Sequence, residues 1–176
     1  MKKSSLIILA IILIIVPLIY YGMMIVRGIE FDRDCTGYLS LAVNANSVEI
    51  AEERLTTAIE YLEANNMTSG DAKFIIANRP ENNIDFWYTN LKSAQAQLRE
   101  IIACGTASEL EKSNVLIKLR ETLLDDDDLV IPENLCFYPN QTIIIIMSLI
   151  IWGLWILAFA IFTNLDDWSY SRKRRK

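Results

Sequence analysis

Two stretches of the chain carry no charge at all: Leu6 to Val26 and Thr142 to Thr163. A helix of about 20 residues, rising roughly 1.5 Å per residue, crosses the ~30 Å hydrocarbon core of a bilayer. Both stretches have that length. The pattern predicts transmembrane helices at residues 6–26 and 142–163. It leaves residues 27–141 as one segment between them, long enough to bury a single hydrophobic core.

Charge sets the expected orientation. Residues 28–141 hold nine Lys/Arg against twenty Asp/Glu, a net of −11. Basic clusters mark the two ends: Lys2 and Lys3 at the start, and Arg172, Lys173, Arg174, Arg175 and Lys176 in the tail. Lys and Arg close to a span stay on the cytoplasmic side. Residues 1–5 and the basic tail 164–176 are therefore expected in the cytoplasm. The acidic segment 27–141 is expected outside a plasma (inner) membrane. Arg27 is the single charge on the opposing side of this balance. The first apolar stretch is too long for a cleaved signal peptide and lacks a small-residue cleavage site, so it reads as an uncleaved signal anchor. The five-residue start and thirteen-residue tail carry no signalling domain in this reading.

Between the spans, apolar spacing predicts helices. Tyr38, Leu41, Ala45, Val48, Leu55, Ile59 and Leu62 fall on one coiled-coil stripe that only Glu52 interrupts. That pattern predicts one helix from about Asp34 to Asn65. Asn44, Asn46 and Ser47 are weak helix formers, and a break there is the alternative. Residues 66–83 are rich in turn formers and enclose the apolar patch Phe74–Ala77. A second helix is expected from an Asn82 or Asn83 cap to Gly105, burying Ile84, Trp87, Tyr88, Leu91, Leu98 and Ile101. The pattern Thr106-Ala-Ser-Glu109 predicts a capping box opening a third helix. That helix should bury Leu110, Leu116, Leu119 and Leu123 and stop at Asp125–Asp128. Leu129–Tyr138 reads as an extended strap anchored by Val130, Leu135 and Phe137. The fold class is all-α: two transmembrane helices flanking an extracytoplasmic helical bundle of three helices, or alternatively four.

Few residues point to chemistry. The chain has no histidine, the commonest general base and metal ligand. It has no glycine-rich phosphate loop and no nucleophile motif. An enzyme is the remote alternative, and no cofactor or metal is expected. The Asp125–Asp128 run lacks the alternating ligands and turn glycine of a calcium loop, so it reads as a solvated helix stop. Cys35 and Cys136 should lie near one membrane surface, and a bridge between them would tie the two stems together. Cys104–Cys136 pairing and three reduced thiols are the rivals.

Trp87 and Tyr88 read first as core residues of a small bundle, and with Phe74 they outline the candidate recognition groove. Trp152, Gly153 and Trp155 form a candidate packing face in the second span, against either a partner helix or the first span. Arg172, Lys173, Arg174, Arg175 and Lys176 serve topology and contact with anionic lipid, and nucleic acid is not expected. Asn66-Met-Thr68 and Asn140-Gln-Thr142 match the glycosylation acceptor pattern. The expected partners are the bilayer and a membrane protein or a second copy of the chain. The expected function is non-enzymatic: presentation of the acidic domain for protein–protein interaction or scaffolding. The alternative is a ligand-sensing module of a two-span receptor without its own cytoplasmic effector.

Overall fold

The structure is a computed structural model describing residues 3–72 and 82–173, with side chains described for 11–72 and 82–160. The described residues are mostly helical, and two of the helices are long and apolar enough to cross a membrane. Packing divides the chain into two units. One is Met1–Val26 with Thr142–Lys176, and the other is Arg27–Gln141.

The first unit holds most of α1 (Lys3–Phe31) and nearly all of α6 (Gln141–Lys173). Leu13, Pro17, Tyr20 and Met24 are the more protected positions along α1, at alternating spacings of four and three. That is the seam of a helix packing nearly antiparallel or parallel to another. Among the described residues of this unit, only Pro17 and Ile151 are buried.

The second unit begins with the last turn of α1, which continues through a π-helical turn, Asp32–Thr36, into α2 (Gly37–Val43). The Gly37 N–H donates to the Asp32 carbonyl, five residues back, and this extra residue in the turn marks the bulge. The chain then breaks at Asn44–Ser47. Asn44 closes α2, its amide donating to the Ser40 carbonyl at 2.9 Å. Ser47 opens α3 (Val48–Ala64) by accepting from the Ile50 N–H. The continuous helix expected over 34–65 is thus two helices. Polar side chains that compete for backbone hydrogen bonds outweigh an apolar stripe that both halves share. The break also uncouples the stripe: Leu41 is 55% exposed, while Leu39, Ala42 and Val43 are buried together with Cys35.

α3 ends in a Schellman motif. Asn66 takes a left-handed conformation, its N–H donates to the Glu63 carbonyl, and the Met67 N–H donates to Leu62 at 2.8 Å. Met67 is buried beneath the turn. α4 (Ile84–Cys104) is capped by the Asn83 side chain, which accepts from the Phe86 N–H at 2.7 Å, and it stops at left-handed Gly105. The capping box of α5 (Glu109–Leu123) pairs Ser108 with Glu111, two residues beyond the expected Thr106–Glu109. Leu110 therefore sits in the first turn at 71% exposure, not in the core.

The acidic run is a hairpin and not a simple helix stop. β1 (Leu124–Asp125) pairs antiparallel with β2 (Asp128–Leu129), in the register Leu124 to Leu129. Asp126 and Asp127 both have positive φ, as a two-residue type I′ turn requires. A single 3-10 turn, Leu135–Phe137, interrupts the strap that follows. Leu135 is its buried anchor, and Val130 is exposed. α2 packs on α3, α3 on α4 and α4 on α5, while α5 also meets α2 and α3 around one core.

Candidate functional site

The only charged side chain on the apolar stripe of α3, Glu52, finds its charged partner on α4. Arg99 Nε donates to Glu52 Oε1 at 2.7 Å, and the Thr56 hydroxyl donates to the same oxygen at 2.8 Å. Gln95, buried on α4, donates through Nε2 to Thr56 Oγ1 at 2.7 Å. Partial burial works against ionisation of Glu52. The hydrogen bonds from Arg99 and Thr56 outweigh it and hold the carboxyl below the usual carboxylate range. This four-residue polar track fixes the register of α3 on α4. The interruption at Glu52 was its only signal in the sequence.

Trp87 and Tyr88 are both engaged within the unit. Trp87 is buried, and its indole N–H donates to the Val130 carbonyl at 2.6 Å. The strap is pinned a second time where buried Asn82 accepts from the Glu133 N–H at 3.1 Å. The Tyr88 hydroxyl donates to Glu63, which also pairs with Lys92. Burial and the adjacent carboxylate push the Tyr88 phenol up to about 12. Phe86, next in sequence, is 67% exposed. Phe74, the third residue of the candidate groove, lies outside the described residues.

The Gly70 turn packs under the strap. Its φ of +105° suits glycine alone, and a Cβ there would collide with the Tyr138 hydroxyl and lie 3.1 Å from Cζ. Gly70 N–H donates to Asp85 Oδ2, and Ile84 N–H donates to the Gly70 carbonyl, both at 2.9 Å. Arg27 donates to the Tyr138 carbonyl at 3.2 Å, tying the start of the unit to its end.

Open grooves among the described residues of this unit include two polar ones. One, of about 200 Å³, has Asn90, Ser93, Gln97, Lys118 and Thr122 on its walls. The other, of about 330 Å³, is bordered by Ser40, Asn44, Arg120 and Asp127, where Arg120 donates to the terminal Val43 carbonyl of α2. Both are polar and shallow. Among the described residues, no three Cys, Asp or Glu side chains converge on a position for a metal ion. Asp125–Asp128 are exposed.

The three cysteines carry free thiols and differ in setting. Cys35 is fully buried in the π turn, beyond the apolar stretch of α1, and burial pushes its thiol up to about 12. Cys136 packs against the same core cluster from the strap, whereas Cys104 is exposed.

In the first unit, Trp155 turns toward α1 of its own chain. Its indole Nε1 donates to the Leu13 carbonyl at 3.0 Å. The Tyr20 hydroxyl donates to the Ile144 carbonyl at 2.7 Å and lies 3.2 Å from Ser148 Oγ. Trp152 is 62% exposed, and a Cβ on Gly153 would meet nothing within 4 Å. Of the tail, Arg172 and Lys173 lie on the last turn of α6, with side chains outside the described residues. Arg174, Arg175 and Lys176 lie outside them altogether.

No protein-family model, curated protein or solved structure matches this chain.

Proposed function

We propose that this is a non-enzymatic integral membrane protein of the plasma membrane that holds residues 27–141 outside as an acidic helical bundle, a docking platform for another protein. The observation that carries the reading is what this unit leaves facing solvent. Trp87, Tyr88, Asn82 and Gln95 are engaged with partners inside the unit. Beside scattered exposed apolar side chains such as Phe86 and Leu110, the unit offers strong negative charge, at a net of −11 over residues 28–141. A surface of one sign steers and selects a partner of the other. The partner is therefore a protein with a basic face, encountered at the membrane surface. Lys2, Lys3 and the cluster Arg172–Lys176 keep both termini in the cytoplasm, and the tail adds attraction to anionic lipid.

Crosslinking in intact membranes, followed by mass spectrometry, tests this reading. The expected result is one heterologous membrane protein linked through residues 28–141, with the yield falling as salt rises. Crosslinks confined to copies of the chain itself would replace the reading with a homo-oligomeric sensor, and the search would turn to ligands for the open grooves.

A further inference from the structure

A helix closes its backbone by donating the N–H of each residue to the carbonyl four positions earlier. Pro17 has no N–H, so the helix leaves the Leu13 carbonyl without its donor. That carbonyl is the one Trp155 reaches, at 3.0 Å. Pro17 and Ile151 are the two buried residues of this unit among those described, and hydrogen bonds lie on both sides of them. Tyr20 bonds Ile144 and Ser148 on one side, and Trp155 bonds Leu13 on the other. As the partner of residue 13 is 155 and that of residue 20 lies at 144–148, the pairing is antiparallel with a single register.

We propose that Pro17 and Trp155 form a proline hinge and its latch: the proline opens a backbone acceptor in the first apolar helix, and the indole of the second takes it. Lipid tails offer no donor to a freed carbonyl, and a neighbouring helix can supply one. In a medium as apolar as the side chains, packing and interhelical hydrogen bonds together hold two helices in place. A single directed hydrogen bond at a single unfilled carbonyl discriminates between registers. The latch thus fixes register, and its release would free α1 to bend at Pro17. Trp155 is here a positioning residue.

The test is a double-mutant cycle in the full chain, reconstituted in mixed micelles. Ser4→Cys and Ser171→Cys carry a donor and an acceptor dye, with Cys35→Ala, Cys104→Ala and Cys136→Ala present in every variant. Energy transfer between the dyes reports separation of the two helices along an SDS titration. With Pro17 present, Trp155→Phe is expected to raise the ratio of separated to paired helices about three- to tenfold, the range of single interhelical hydrogen bonds in membranes. In the Pro17→Ala and Pro17→Leu backgrounds the restored N–H fills the Leu13 carbonyl, and the same substitution should change the ratio less than about twofold. Equal losses in all three backgrounds would mean that Trp155 acts by packing alone, and that result overturns the latch. No loss in any background overturns it equally.

Discussion

Arg99 on α4 meets Glu52 on α3, Nε to Oε1 at 2.7 Å, where the heptad pattern of α3 is interrupted. The pair lies at the rim of the core, with Glu52 at 21% side-chain exposure and Arg99 at 56%. Ion pairs in such a setting contribute about 0.5–1 kcal/mol. A Glu52→Gln variant should lose about that much stability at pH 7. The sign with pH follows from the lowered carboxyl pKa in the folded state. The contribution is present above the unfolded value, near 4.5, and is lost as pH falls through the folded value. Thermal denaturation from pH 7 to pH 3 should therefore show the gap between native and Glu52→Gln proteins closing below about pH 4.5. A gap that stays constant with pH would remove the ion pair as its source.

Trp87 holds the strap by one hydrogen bond to the Val130 carbonyl. Trp87→Phe keeps most of the apolar contact and removes the donor, which should cost roughly 0.5–1.5 kcal/mol for the lost hydrogen bond. The loss should be local. Limited proteolysis is expected to cut Trp87→Phe between Leu129 and Tyr138 faster than native protein, with α3 unaffected. Unchanged strap cleavage would show that Leu135 and the Asn82–Glu133 hydrogen bond suffice.

Caps were the most legible part of the fold, because a cap is local chemistry. Asn83 and left-handed Gly105 stand where the sequence predicts them. The box of α5 is displaced because Thr106-Ala-Ser-Glu109 and Ser108-Glu-Leu-Glu111 both satisfy its pattern, and spacing alone does not choose between overlapping candidates. The heptad stripe failed at α2 for a different reason. The break at Asn44–Ser47 lets α2 take a rotation of its own relative to α3, with Leu41 outward and Leu39 inward. Partnerships between distant residues were least legible. Glu52 was visible as an anomaly and Pro17 as a kink, but Arg99 and Trp155 become their counterparts only through tertiary packing.

The hairpin after α5 makes a third stability prediction. Asp126 and Asp127 both occupy the left-handed region, with φ of 47° and 69°. Asn-Gly is the pair best suited to a type I′ turn. Replacing both (Asp126→Asn with Asp127→Gly) also relieves like-charge repulsion across four consecutive aspartates. The double variant should gain roughly 0.5–1 kcal/mol, seen as a higher denaturation midpoint. Reduced stability would mean that these carboxylates make favourable contacts of their own in solution.

Orientation can be read through Asn66. It sits at the exposed end of α3, in the left-handed position of the Schellman turn, and Thr68 completes an acceptor sequence. Asn140 carries the same pattern one residue before α6, too near the expected membrane surface for transfer. Translation of the chain in the presence of eukaryotic microsomes turns this difference into a topology assay, because glycans are added only on the lumenal side. A lumenal acidic unit should acquire one endoglycosidase-sensitive shift. Asn66→Gln and Thr68→Ala should both abolish it, and Asn140→Gln should leave it intact. Loss in both Asn66→Gln and Thr68→Ala separates acceptor removal from disturbance of the turn, since Thr68→Ala keeps the left-handed asparagine. If the native chain remains unmodified while an acceptor sequence appended to the basic tail is glycosylated, the tail is lumenal, the acidic unit is cytoplasmic, and the charge-based orientation is reversed.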